Sequence, residues 1–225
     1  MKRKNIYGVF DTECIGLDKR YVYDLGLTIC SKDEILFSTH WIIEEVFNND
    51  DLMSQAYYGS KKHSYYLPKI VTGNITPVSL RTARAEFNEL LSYYEVNFIT
   101  AYNLSFDMSV LRQSMEYSEI PAKKFLSYPL NYFDLWSASC ETFFNHKIFS
   151  NMAESYQWKS QAGNYRTNAE VAFRYATFSP YFIESHTALE DSIIEAYILQ
   201  YVLRQKKKFT KNDVLDSPWK IPNKR

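Results

Sequence analysis

At 225 residues, 46% hydrophobic and 23% charged, the chain has the length of one generous domain or two small ones and the balance of an ordinary globular protein. Its three cysteines, Cys14, Cys30 and Cys140, are odd in number and widely spaced with no Cys-x-x-Cys pair, which argues against a disulfide scaffold and a structural zinc site. The 26 basic and 26 acidic residues cancel, so no overall charge marks out a partner.

Taken in order, no apolar run of signal-peptide length follows Met1, and none anywhere is long enough to cross a bilayer. A reducing, cytoplasmic location with no membrane contact is expected. Residues 5–9 form a short apolar run that reads as a strand leading into Phe10-Asp11-Thr12-Glu13. Two more strands are expected, Tyr23 to Cys30 and Glu34 to Ile43, joined by a turn at Ser31-Lys32-Asp33 into an antiparallel meander. The stretch 44–75 reads as an irregular insertion in which tyrosines and lysines alternate, suited either to gripping a strand of nucleic acid or to a loop folded on the core.

Thr76-Pro77 reads as an N-cap and first helical residue, opening a helix from Pro77 to Glu95 with apolar side chains at helical spacing. A strand at 97–102, a helix from Ser105, a fifth strand at 131–134 and a helix at 135–144 follow. Residues 145–166 show no period and read as a second insertion. Thr167-x-x-Glu170 and Thr187-x-x-Glu190 fit capping boxes for a helix ending near Pro180 and a long one through Gln205. From Arg204 onward eight basic residues stand against two aspartates, so a basic tail (206–225) follows an acidic body. Such a tail suits either phosphate contact or plain solvation. Strands first, then strands alternating with helices, give a single α/β domain with a mixed sheet.

Chemistry concentrates at acidic stations. Asp11 and Glu13, two apart on a strand, project from the same face. Two adjacent carboxylates repel unless solvated or bridged, and a hard divalent cation such as magnesium or manganese is one answer. Asp107 falls in the first turn of a helix, where the dipole alone would favour it. His186 and Asp191 occupy the two positions, either side of Thr187, where a helix start normally staples two apolar side chains together. A polar pair there points to a role other than stability.

Asp11-x-Glu13, Asn103-x-x-Phe106-Asp107 and His186-x-Ala188-x-x-Asp191, in that order, resemble the three motifs of the DEDDh branch of the DnaQ-like 3′–5′ exonucleases. The resemblance covers about residues 5 to 205. It implies a ribonuclease-H-like five-stranded mixed sheet flanked by helices, and two Mg2+ or Mn2+ ions held by Asp11, Glu13, Asp107 and Asp191. Under it, His186 is the general base that takes a proton from the attacking water. The expected substrate is single-stranded DNA, with RNA as the lesser alternative, cut from a free 3′ end to nucleoside 5′-monophosphates.

Thr12, Cys14, Gly16, Leu17, Asn103 and Phe106 fall at the family's substrate-binding positions. Gly16-Leu17 keeps a tight turn and an apolar wedge for the terminal base. Cys14 and Ile15 stand where the family often has threonines, so contacts to the terminal 3′-hydroxyl pass to backbone amides. With no polymerase domain attached, a DNA polymerase enters as a partner only in trans. The competing readings are a non-cutting nucleic-acid- or polymerase-binding protein on the same fold, and a short-oligoribonucleotide hydrolase.

Overall fold

A computed structural model describes residues 5–121, 124–127, 129–209 and 215–223. Strands β1 (Tyr7–Cys14), β2 (Val22–Cys30) and β3 (Ile35–Ile42) form the antiparallel meander. Strands β4 (Phe98–Thr100) and β5 (Asn131–Tyr132) add in parallel, giving a five-stranded mixed sheet in the order β3-β2-β1-β4-β5.

Strand alternation sorts the side chains into two layers. Phe10 of β1 and Leu25, Leu27 and Ile29 of β2 pack with α4 (Leu80–Tyr93) and α5 (Leu104–Tyr117). Tyr7 and Val9, with Asp11 and Glu13 in phase with them, face the other layer. That layer is built from α6 (Leu135–Thr142), α7 (Lys147–Ser155), α8 (Ala169–Thr177) and α9 (Ala188–Arg204). So the acids of β1 point to the side on which α9 lies.

Helix α9 comes unusually close to the sheet because β2 presents it a face of small and polar residues. Asp24 accepts a hydrogen bond from the Ala188 amide at 3.1 Å, and the Thr28 and Ser192 hydroxyls meet at 2.9 Å. Between them Gly26, the partner of Asp11 across the ladder, leaves no room for a side chain: a Cβ would lie 1.9 Å from the Ala188 carbonyl oxygen. Gly26→Ala is therefore expected to push the start of α9 off the sheet. Thermal denaturation should show a loss of about 1–3 kcal/mol or more, the usual scale for overpacking. An unchanged midpoint would contradict this close approach.

The structure corrects several sequence expectations. The stretch 44–75 is not irregular: it holds α1 (Glu44–Phe47), α2 (Asp50–Met53), a π-helical turn (Lys62–Tyr66) and α3 (Leu67–Val71). Each is too short to show a period. What fixes them is a small third core in which Val46, Phe47, Met53, Ala56 and Tyr66 pack on Ile15, Tyr23 and Ile42. Likewise 145–166 contains α7, whose Phe149 and Ala153 are buried.

The N-cap of α4 is Ser79, whose side chain accepts from the Thr82 amide at 3.1 Å, rather than Thr76. Neither proposed capping box forms. Asn168 rather than Thr167 precedes α8, which ends at Thr177, and Thr187 makes no side-chain cap on α9, where Asp24 takes that place from a neighbouring strand.

The described parts of the basic tail rest on the domain. Phe209 packs 5.0 Å from Phe133, the Leu215 amide donates to Ser137 Oγ at 3.3 Å, and Asn223 Oδ1 accepts from the Tyr165 amide at 2.7 Å. Among the described residues no helix is long and apolar enough to cross a membrane.

Candidate active site

The acids from β1, α5 and α9 meet at one edge of the sheet. Glu13, His186 and Asp191 each offer a ligand atom, and these atoms lie within 4.8 Å of one another. Asp11 feels the negative charge of Glu195, Asp107, Asp191 and Glu13 together. Residues 95 positions apart are joined directly: Asp107 Oδ1 accepts from Thr12 Oγ1 at 2.7 Å and from the Thr12 amide at 3.2 Å. The odd residues of β1 thus aim their carboxylates at α9, while Thr12, on the opposite face, fixes the carboxylate brought by α5.

This crowding is electrostatically unfavourable in the bare protein. Burial, joined by the charge of Glu195, pushes the Asp11 carboxyl well above the usual range. Burial pushes Glu13 up to about 9, with Asp191 adding to it, and Asp191 up to about 8, with Glu184 adding to it. Asp107 rises to about 7 through burial, held down by its bonds from Thr12. His186 moves the other way: burial and then the positive charge of Lys61 lower its pKa.

A donor set of carboxylate oxygens with one imidazole suits a hard divalent cation, and mutual repulsion of this kind is what bound positive charge relieves. The residues present therefore fit magnesium or manganese.

Around this centre, Cys14 turns its thiol to the Gly16 carbonyl at 3.4 Å, and burial raises its pKa to about 11. Gly16 stands in the loop that the Ile15 amide closes by donating to the Tyr21 carbonyl at 3.1 Å. Its φ is ordinary and a Cβ there would meet nothing within 4 Å, so neither backbone nor packing demands glycine. Leu17 is 74% exposed. Arg20 ties this loop down: its Nε donates to the Leu17 carbonyl at 2.9 Å and its guanidinium lies 5.0 Å over the Phe106 ring. Asn103 adopts a left-handed conformation (φ 73) immediately before α5, and its carbonyl accepts from the Phe106 amide at 2.8 Å.

Sequence reasoning missed four residues that shape the centre. Glu195 is 2% exposed, accepts from the Tyr102 amide at 3.0 Å and faces Asp11 and Asp107. A signal existed: it stands one helical turn after Asp191, alone in the apolar run Ile193-Ile194-Glu195-Ala196. Asp24, fully buried, interrupts the apolar run of β2 and accepts from Tyr66 Oη at 2.7 Å as well as from Ala188. Tyr58 stacks on the His186 ring with centroids 4.1 Å apart, and Lys61 Nζ donates to the His186 carbonyl at 2.9 Å. Nothing in the spacing of those last two tied them to a histidine more than a hundred residues away.

No family model and no curated protein matches the chain. Solved structures do. A full-length 3′-exonuclease superposes with a TM-score of 0.56 at 13% identity, over 97% of this chain and 90% of that one. Exonuclease I of E. coli, in complex with a 5cy-dA13 oligonucleotide, gives 0.56 at 13% identity over 90% of this chain and 41% of its own. A product-bound exonuclease I gives 0.56 at 11% identity over 91% and 44%. The chain thus spans less than half the length of the exonuclease I structures it matches. At such identities the likeness is one of fold. Sheet order, flanking helices and these superpositions agree that the chain carries the ribonuclease-H-like α/β fold on which these exonucleases are built.

Proposed function

We propose that this protein is a metal-dependent 3′–5′ exonuclease that hydrolyses single-stranded DNA to nucleoside 5′-monophosphates. The observation that carries the reading is the meeting of Glu13, His186 and Asp191 within 4.8 Å, with Asp11 and Asp107 beside them, from three separate parts of the chain. The fold supports it, since its solved neighbours include exonucleases, one of them in complex with a dT13 oligonucleotide at a TM-score of 0.51.

In this reading Asp11, Glu13, Asp107 and Asp191 hold two Mg2+ or Mn2+ ions. When bound, the cations supply the positive charge that makes these acids compatible and polarises the scissile phosphate. Thr12 keeps Asp107 turned toward the centre through two hydrogen bonds. His186 accepts the proton of the attacking water. Its lowered pKa leaves the ring neutral and able to do so at neutral pH. Leu17, exposed and pinned through its carbonyl by Arg20, wedges against the terminal base. The open space at Gly16, the amides near Cys14, and Asn103 with Phe106 receive the terminal nucleotide.

The test pairs a 5′-labelled with a 3′-labelled deoxyoligonucleotide in magnesium. Release of labelled mononucleotide from the 3′ end first, with a circular single strand left intact, is the expected result. Binding without turnover on DNA and RNA oligomers alike would contradict it. Faster cutting of short RNA than of DNA would move the substrate class to oligoribonucleotides. A polymerase served in trans is a proposal of the same standing, testable by co-elution during gel filtration.

A further inference from the structure

We infer that Tyr58 and Lys61, both from the segment between β3 and α4, are positioning residues that clamp His186 in place. The inference rests on the reading of His186 as the proton acceptor.

Three features of His186 make it hard to hold. It lies in the connection between α8 and α9, its side chain is 33% exposed, and its φ of 54 is left-handed, a region in which a non-glycine residue is strained. A residue in that state persists only where its surroundings over-determine it. Its own loop supplies limited help. Glu170 of α8 accepts from the Glu184 amide at 3.0 Å, and Arg174 Nε donates to the Phe182 carbonyl at 2.7 Å, both upstream of the histidine. The nearest charged side chain on the loop, Glu184, stands 4.0 Å from His186 Nδ1, beyond hydrogen-bond reach.

The clamp comes from elsewhere in the chain. The Tyr58 ring lies nearly parallel to the imidazole, 12° off at 4.1 Å between centroids, so it fixes the plane of the ring. Lys61 Nζ donates to the His186 carbonyl at 2.9 Å, so it fixes the backbone that bears the ring. Lys61 also lies 5.5 Å over the Tyr58 ring, which couples the two contacts.

The clamp is itself anchored. Lys62 Nζ donates to the Phe47 carbonyl at 2.6 Å and to Asp50 at 2.7 Å, and Tyr66 bonds the buried Asp24. Tyr65 Oη reaches Glu190 Oε1 at 3.3 Å, tying the same segment to the first turn of α9. Gly59, between the two clamp residues, presses so closely on α2 that a Cβ would lie 2.2 Å from the Met53 carbonyl oxygen. A stacked ring, a backbone bond and a packed anchor hold one histidine, and a proton acceptor works only when its nitrogen is held at the attacking water.

The experiment uses the full chain and the variants Tyr58→Ala, Tyr58→Phe, Lys61→Met and His186→Ala. The first reading needs no metal or substrate: the ring-proton resonances of His186 by NMR, assigned by their loss in His186→Ala. A ring stacked at this distance displaces them upfield. Tyr58→Ala should return them toward free-histidine positions, and Tyr58→Phe should keep them displaced. The second reading is kcat and KM on a 5′-fluorescent single-stranded deoxyoligonucleotide in magnesium. Tyr58→Ala and Lys61→Met should each lower kcat at least about tenfold with little change in KM, and Tyr58→Phe should restore what Tyr58→Ala loses.

Unmoved His186 resonances in Tyr58→Ala would overturn the clamp, and so would an unchanged kcat with a raised KM, which would make Tyr58 a substrate-binding ring. Full hydrolysis by His186→Ala would instead overturn the reading of His186 as the proton acceptor, and no hydrolysis by the wild-type chain, with the His186 resonances still displaced by Tyr58, would overturn the proposed nuclease function alone. The two failures are therefore separable.

Discussion

Asparagine in place of Asp11 is expected to lower hydrolysis roughly a thousandfold, the equivalent of about 4 kcal/mol of barrier, while raising the thermal stability of the metal-free protein. The two effects have one cause. Asp11 lies where the charges of Glu195, Asp107, Asp191 and Glu13 converge, and burial pushes its carboxyl well above the ordinary range. In the absence of cations, a neutral amide of the same shape removes part of that repulsion. With cations present, the same change removes a ligand that the reaction needs. Loss of activity with a lower midpoint would be ordinary damage to the fold. Wild-type hydrolysis by Asp11→Asn would mean that the site is misassigned. Differential scanning fluorimetry in EDTA, beside the oligonucleotide assay, reads both effects.

The stability of the metal-free protein is also expected to fall as pH rises. Glu13 at about 9, Asp191 at about 8 and Asp107 at about 7 all have folded pKa values above those of carboxylates in an unfolded chain. Between about pH 4 and pH 9 the folded protein therefore binds more protons than the unfolded one. The stabilisation is complete below the unfolded values and is lost as pH climbs through the folded ones. Midpoints measured in EDTA should decline from pH 5 to pH 9, and saturating magnesium should flatten the decline, because bound cations replace protons as the compensating charge. A midpoint that rises over this window, or one that magnesium leaves unmoved throughout, would mean that the carboxylates do not share a site.

Much of this architecture was legible in the chain. Short apolar runs bounded by turn residues placed the meander, and the two-residue period of a strand put Asp11 and Glu13 on one face, because a strand's geometry depends little on its neighbours. The apolar spacing of α4 located that helix to within a few residues, and the Thr187-x-x-Glu190 pattern located the start of α9. Helix boundaries were less legible. The Thr187-x-x-Glu190 pattern looks like a self-sufficient cap, yet Asp24 receives the Ala188 amide, and no local pattern records that a strand more than 160 residues earlier offers a carboxylate there. The short helices of 44–75 escaped for a related reason: a single turn has no period, and its stability comes from Tyr66 and Phe47 packing on Ile15 and Tyr23.

By itself, then, the order of residues determined which carboxylates and which histidine were on offer and on which faces of which elements they stood, since those properties follow from local backbone geometry. Only the tertiary structure decided that they meet, and what surrounds them. Gly26 lets α9 settle on the sheet, which carries Asp191 and Glu195 to Asp11, and the anchored turn around Gly59 delivers Tyr58 and Lys61 to His186. Contacts of this kind join residues far apart in the chain, and their energies come from packing and charge at a distance that no window of sequence contains.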